Sequence, residues 1–147
     1  MKKLFIYYSF SGNGDVVADH LKNKDFEIRK VESKLKLSKN LFLCMMKGGF
    51  LALSGAKSKL INYDNNISDY DEVVIGSPIW NGRLASPTNT ILDKTNLDGK
   101  KVTFVLYAGG GEAPKAIKKL KKLYPECKII TLKEPKKNLS ELEKLEF

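Results

Sequence analysis

The segment best suited to chemistry is a short polar loop that follows the apolar run at residues 4–8. Its residues are Ser9, Phe10, Ser11, Gly12, Asn13 and Gly14. Glycines allow a left-handed backbone that brings N–H groups close to an anion, and the hydroxyl and amide side chains add further donors. A helix predicted to begin at Gly14 or Asp15 and to run to Lys22 directs its positive end at the same place. We therefore expect this loop to bind a phosphate-bearing ligand.

Two other irregular segments also follow apolar, strand-like runs. The first opens a loop predicted over residues 78–86 and contains Pro78, Ile79, Trp80, Asn81 and Gly82. The second contains Ala108, Gly109, Gly110 and Gly111. Trp80 is the single tryptophan of the chain and is expected in an exposed loop, where its ring could stack on a flat heterocycle; packing on the following helix is the alternative. The glycines either let a ring edge approach backbone N–H groups or form a plain flexible loop.

Strand-like and helix-like segments alternate along the chain and must position these loops. Strands are predicted over residues 4–8, 26–32, 71–77, 101–107 and 128–132. Helices are predicted from 14 or 15 to 22, over 41–46 within a long connection, over 86–94, from 114 onward, and over 139–145. This alternation indicates one α/β domain over residues 1–147, with a doubly wound parallel sheet. Ligands of such sheets bind at the carboxyl ends of the strands, where all three loops are expected to meet.

The composition limits the classes of partner and ligand. Lys and Arg number 26 against 17 Asp and Glu, a formal charge of +9, which favours an acidic protein, an anionic membrane surface or nucleic acid as partner. No nucleic-acid motif accompanies the charge, so we expect no nucleic-acid partner. One His and two Cys without metal-type spacing predict no metal site, and His20 is expected on the solvent side of its helix without a catalytic role.

Targeting signals are weak in this sequence. The N-terminal apolar run lacks a small-residue cleavage site after it. The apolar segment 41–56 is interrupted by Lys47 and a glycine pair, and it falls short of the ~20 residues that span a bilayer. We expect a cytoplasmic protein with no membrane span.

Other phosphate-binding classes fit the first loop less well. The chain contains no P-loop motif. Gly12 and Gly14 supply two glycines of the dinucleotide fingerprint, and Glu32 stands near the place of its ribose-binding acid, but Val17 replaces the third glycine. A response-regulator receiver would need carboxylates where this chain has serines at the ends of its first and third strands.

The three segments together resemble the FMN-binding loops of the flavodoxin family. The resemblance rests on residues 9–14, 71–80 and 107–110, and it covers essentially the whole chain in the short form of the family. It implies a three-layer α/β sandwich with a five-stranded parallel sheet in the order 2-1-3-4-5. It also implies FMN as cofactor, with its phosphate in loop 9–14 and its isoalloxazine between residues 78–82 and 108–111. No protein residue is then expected to act as a catalytic acid or base.

The sequence departs from the family pattern at three points. Gly14 stands where a hydroxyl residue usually closes the phosphate loop, and glycines stand where many members carry a second stacking aromatic. Carrier flavodoxins are typically acidic, whereas this chain is basic. The expected function is electron transfer between redox partners through an acidic docking partner. A small FMN-dependent NAD(P)H or quinone reductase is the alternative, and an interaction domain that has lost FMN is a third possibility.

Overall fold

The computed structural model describes residues 1–34 and 57–147. Its strands are β1 (Lys3–Tyr7), β2 (Phe26–Lys30), β3 (Glu32–Ser33), β4 (Leu60–Ile61), β5 (Glu72–Trp80), β6 (Arg83–Leu84), β7 (Lys101–Ala108) and β8 (Lys128–Lys133). The main sheet has the parallel order β2-β1-β5-β7-β8, with the short β6 paired antiparallel to β5. The five parallel strands therefore confirm the order 2-1-3-4-5 implied by the family resemblance.

Helices cover both faces of the main sheet. They are α1 (Asn13–Lys22), α2 (Ser86–Lys94), α3 (Pro114–Leu123) and a closing 3₁₀ helix (Leu139–Lys144). Because side chains alternate along a strand, β1 sends Leu4 and Ile6 to one apolar cluster and Phe5 and Tyr7 to another. The first cluster packs against α2 and α3, and the second against α1 and the C-terminal residues. This arrangement is the expected three-layer sandwich.

The prediction of a loop over residues 78–86 is wrong for its first three residues, because β5 continues to Trp80 and the chain then turns back into β6. Pro78 pairs with Tyr107 of β7, while Ile79 and Trp80 pair with Leu84 and Arg83. Residues 78–80, which the sequence predicts in a loop, are therefore paired with neighbouring strands. Asn81 and Gly82 form the turn with φ values of 53° and 77°, the pattern of a type I′ hairpin. The Asn-Gly pair was the signal that could have predicted it.

Other element boundaries differ by smaller amounts. The predicted strand 26–32 ends at Lys30, and β3 pairs instead with β4 in a separate two-stranded sheet. The predicted closing helix 139–145 is a 3₁₀ helix. The predicted helix 41–46 lies outside the described residues. Within residues 1–34 and 57–147, no helix is both long enough and apolar enough to cross a membrane.

Candidate functional site at the carboxyl edge of the sheet

A cleft of about 340 Å³ lies at the carboxyl edge of the sheet, where the three predicted loops meet. Its lining residues are Ser11, Asn13, Pro78, Ile79, Trp80, Tyr107, Gly109, Glu134, Lys136 and Lys137. Each of the three segments thus contributes to one cavity. The remaining predicted site residues are not part of this lining: Ser9, Phe10, Gly12, Gly14, Asn81, Gly82, Ala108, Gly110 and Gly111.

The first loop folds into a cradle at the N-terminus of α1. Gly12 precedes the helix with φ +94°, a left-handed conformation that a residue with a side chain adopts at a cost. The Ser9 hydroxyl accepts the Gly14 N–H at 3.0 Å and so satisfies one of the N–H groups left free in the first turn of the helix. The Asn13 side-chain amide donates to the Ser11 hydroxyl at 3.3 Å. Backbone and side-chain donors therefore gather at the positive end of the helix dipole, as an anion site requires.

Lys136 adds a positive charge to this cradle, and sequence reasoning missed it. Its backbone N–H donates to Asn13 Oδ1 at 3.0 Å, and its Nζ donates to the Ser11 carbonyl at 3.3 Å. A Cβ placed on Gly12 would lie 3.1 Å from this Nζ. In the sequence, Lys136 belongs to a lysine-rich stretch, and no local pattern links it to a loop more than a hundred residues earlier.

Gly14 is required by the packing of two tyrosines. A Cβ at this position would lie 2.6 Å from Tyr7 Cδ2, 2.7 Å from Tyr107 Oη and 2.8 Å from Ser9 Cβ. The Tyr107 hydroxyl donates to the Tyr8 carbonyl. Burial raises the pKa of Tyr107 well above its ordinary value, and the nearby Tyr7 and Asp15 act in the same direction, so this donor stays protonated. The hydroxyl side chain missing from the family pattern would overlap these aromatic side chains.

An Asp15 carboxylate ties the first turn of α1 to two strands. Asp15 Oδ1 accepts hydrogen bonds from the Tyr7 hydroxyl at 2.7 Å and from Lys30 Nζ at 2.8 Å. Partial burial alone would raise the pKa of Asp15, but the hydrogen bonds from Lys30 and Tyr7 outweigh it, and the pKa is lowered. A carboxylate at a helix N-terminus is also favoured by the helix dipole. The cradle is thus held in place by β1 and β2.

Trp80 does not lie in an exposed loop, contrary to the expectation from the sequence. It is the last residue of β5 and is 0% exposed. Its ring meets the edge of the Tyr8 ring at 86°, with the centroids 5.8 Å apart. Trp80 pairs with Arg83 of β6 at the end of the central strand of the sheet, a position that the sequence alone did not reveal. Trp80 therefore forms a fixed wall of the cleft.

The opposite rim of the cleft comes from the ends of β7 and β8. Gly109 lines the cleft directly after β7. Gly111 has φ +77°, and a Cβ there would lie 3.2 Å from Lys133 Cβ. The Glu134 N–H donates to the Ala108 carbonyl, and the Glu134 carboxylate pairs with Lys137 at 3.2 Å. In the described residues no cluster of His, Cys, Asp or Glu could hold a metal ion.

The five-stranded doubly wound sheet places this protein among the open α/β proteins, whose ligands bind at the carboxyl ends of the strands. A family model described as Flavodoxin matches residues 2–144. The chain therefore belongs to the flavodoxin family. Comparison of the sequence with curated proteins finds no match.

Solved structures of similar fold agree with this assignment. A Bacteroides uniformis protein, provisionally classed as a flavoprotein, has a TM-score of 0.69 and 21% identity over 88% of this chain and 89% of its own. A Lactobacillus acidophilus flavoprotein in complex with FMN has a TM-score of 0.60 and 24% identity over 88% and 89%. Oxidised flavodoxin 1 from Bacillus cereus has a TM-score of 0.52 and 16% identity over 100% of both chains. At these identities the likeness establishes the shared fold.

Proposed function

We propose that this chain binds FMN and carries electrons between redox partner proteins. The main support is the cradle at the N-terminus of α1, where donors and the Lys136 ammonium gather beside the cleft. The FMN complex of the Lactobacillus acidophilus flavoprotein, a structure of the same fold, supports the choice of ligand. Family membership supports the electron-transfer role.

The chemistry of the cleft fits the two ends of FMN. Ser11, Gly12, Asn13 and Lys136 supply donors and charge suited to the phosphate. Pro78, Ile79, Trp80 and Gly109 supply the apolar walls suited to a flat ring system. The left-handed Gly12 leaves room that a side chain at this position would take from the Lys136 ammonium.

Bound FMN supplies the redox chemistry, and the residues of the chain bind and shield it. Lys136 and the first turn of α1 hold negative charge at one end of the cleft. Trp80 and Ile79, both buried, exclude water from the other end. The buried Tyr107 hydroxyl stays protonated and fixes the backbone at Tyr8, just before the cradle. We assign no proton-transfer role to any residue.

A small reductase is the second candidate function. About 340 Å³ lies near the lower end of the range for small-molecule sites and is suited to one ligand. A reductase would also have to admit a nicotinamide or quinone. The bare backbone at Gly109 is the feature that supports this second function, because a small molecule could approach there. Steady-state oxidation of NAD(P)H by the FMN-loaded protein would favour the reductase; electron exchange with proteins alone would favour the carrier.

The direct test is titration of the purified protein with FMN and with riboflavin, which lacks the phosphate. We expect Lys136→Gln to weaken FMN binding about tenfold, because a charge-assisted contact to the phosphate is lost. Riboflavin binding should change less than about twofold, since riboflavin carries no phosphate for Lys136 to contact. Quenching of flavin fluorescence measures both affinities.

The matched control is Lys22→Gln, which removes the same charge at the opposite end of α1. It should leave both affinities unchanged. Absence of FMN binding by the unmodified chain would refute the proposed function. If Lys136→Gln lowered the affinities for FMN and riboflavin equally, Lys136 would not contact the phosphate.

A further inference from the structure

A second groove of about 420 Å³ lies beside the cleft, between β6 and α3. Five of its lining residues are cationic: Arg83, Lys115, Lys118, Lys119 and Lys122. Leu84 and Ala116, both buried, form its apolar floor. We propose that this groove, the α3 groove, docks an acidic redox protein that exchanges electrons with the cleft. The proposal rests on the proposed function, because it names the partner surface of that same site.

The cations of the α3 groove carry charge that is not neutralised within the described chain. All five are exposed. Some described lysines elsewhere are paired with carboxylates, as in Lys30–Asp15, Lys57–Asp93 and Lys101–Glu72. In residues 1–34 and 57–147 no ion pair involves a cation of the α3 groove, although Lys119 Nζ donates to Asn89 Oδ1 at 3.1 Å. Such a surface attracts and orients a partner of opposite charge.

The β5–β6 hairpin places the α3 groove next to the cleft. Trp80 lines the cleft, Arg83 lines the groove, and the two are cross-strand partners, which lie about 5 Å apart. A Cβ on Gly82 at the turn would lie 3.7 Å from Lys115 Cδ, so α3 reaches the hairpin. A protein seated on this groove therefore stands beside the cleft. Electron exchange between proteins requires this proximity.

The same surface suits nucleic acid and membranes less well. Proteins that bind single strands combine positive charge with aromatic side chains that stack on bases, and the described lining of the α3 groove has no aromatic residue. Helices that lie in a membrane interface expose a broad apolar face. In α3 the apolar residues Ala116, Ile117 and Leu120 pack inward against the core instead. Apart from Pro114 and Leu123 at the two ends of α3, the exposed residues of this helix are lysines.

The test is a titration of the isotope-labelled, FMN-loaded protein with an acidic plant-type ferredoxin, followed by nuclear magnetic resonance. We expect amide shifts over residues 82–84 and 114–123, and binding that weakens when the ionic strength rises from 20 to 300 mM. Lys122→Glu should weaken binding about tenfold at the lower ionic strength, because an attractive contact becomes repulsive. Its matched control is Lys22→Glu, the same change in the last turn of α1 on the other side of the sheet, which should alter binding less than twofold.

Several results would overturn the proposal. They are shifts that map to another surface, an equal loss of binding in both variants, and tighter binding of a DNA duplex or of phosphatidylserine vesicles than of ferredoxin. Failure of the proposed function is recognised separately, since a chain that takes up no FMN can still be titrated with ferredoxin in its free form. Lys122 is outside the cleft, so FMN affinity should be the same in Lys122→Glu and in the unmodified protein.

Discussion

Gly14 shows how one residue adapts the phosphate loop to its surroundings. In an ordinary helix, replacing glycine by alanine is stabilising, by up to about 1 kcal/mol. Here the added methyl would lie within 2.8 Å of atoms from Tyr7, Tyr107 and Ser9. We expect Gly14→Ala to lower the free energy of unfolding by about 2 kcal/mol, because the tyrosines must shift and strain the packing. Urea unfolding measures the change.

Gly110→Ala is the control for that prediction. A Cβ at Gly110 has no neighbour within 4 Å, so the free energy of unfolding should stay within about 0.5 kcal/mol of the unmodified protein. If Gly14→Ala proves as stable as Gly110→Ala, the tyrosines do not exclude a side chain at position 14. The absent hydroxyl of the phosphate loop would then need another explanation.

At the scale of elements, the β5–β6 hairpin links the cleft to the α3 groove. Gly82 in its turn has φ +77°, and Gly99 has φ +74° in a turn that lies outside the cleft lining. An alanine at either position is strained in the left-handed region, so each substitution should cost about 1 kcal/mol in the free energy of unfolding. We expect only Gly82→Ala to weaken FMN binding, because Trp80 and the hairpin form a wall of the cleft. Urea unfolding and fluorescence titration with FMN are measured for both variants. Equal FMN affinity in the two would show that the hairpin does not contribute to FMN binding.

Most of the fold could be predicted from residue patterns within single helices and strands. The apolar runs at residues 71–77 and 101–107 are long enough to identify buried strands, and right-handed crossovers then place helices on both faces of the sheet. The three loops at the strand ends were visible for the same reason. The strand order came from the resemblance to the flavodoxin family. Trp80 and Lys136 could not be placed this way. The position of Trp80 depends on the β5–β6 hairpin, and the role of Lys136 depends on contact with a loop distant in sequence.

At the scale of the whole molecule, the titration of four carboxyls and of His20 makes the free energy of unfolding depend on pH. Four carboxyls have lowered pKa values in the fold: Asp15, Glu27, Asp93 and Glu141. His20 also has a lowered pKa, because burial and the nearby Lys24 disfavour its charged form more than a hydrogen bond with the Leu145 backbone favours it. It is half-buried beside the C-terminal segment, with Nε2 shielded from solvent, and so does not simply face water as the sequence suggested. The folded chain thus binds fewer protons than the unfolded chain.

The lowered pKa values predict a loss of stability in acid that occurs in two steps. Each contribution is complete above the ordinary pKa of its group and is lost as the pH falls, because protons then bind the unfolded chain more tightly. The ordinary pKa is 6.5 for the histidine and 3.8 or 4.5 for the carboxyls, so the first decrease should begin near pH 6.5 and the second near pH 4.5. Since His20 is the single histidine of the chain, His20→Gln should abolish the first step and keep the second. Asp15→Asn should keep the first step and reduce the second. Free energies of unfolding from urea titrations between pH 7.5 and 3 measure both; a first step that persists in His20→Gln would contradict the assignment.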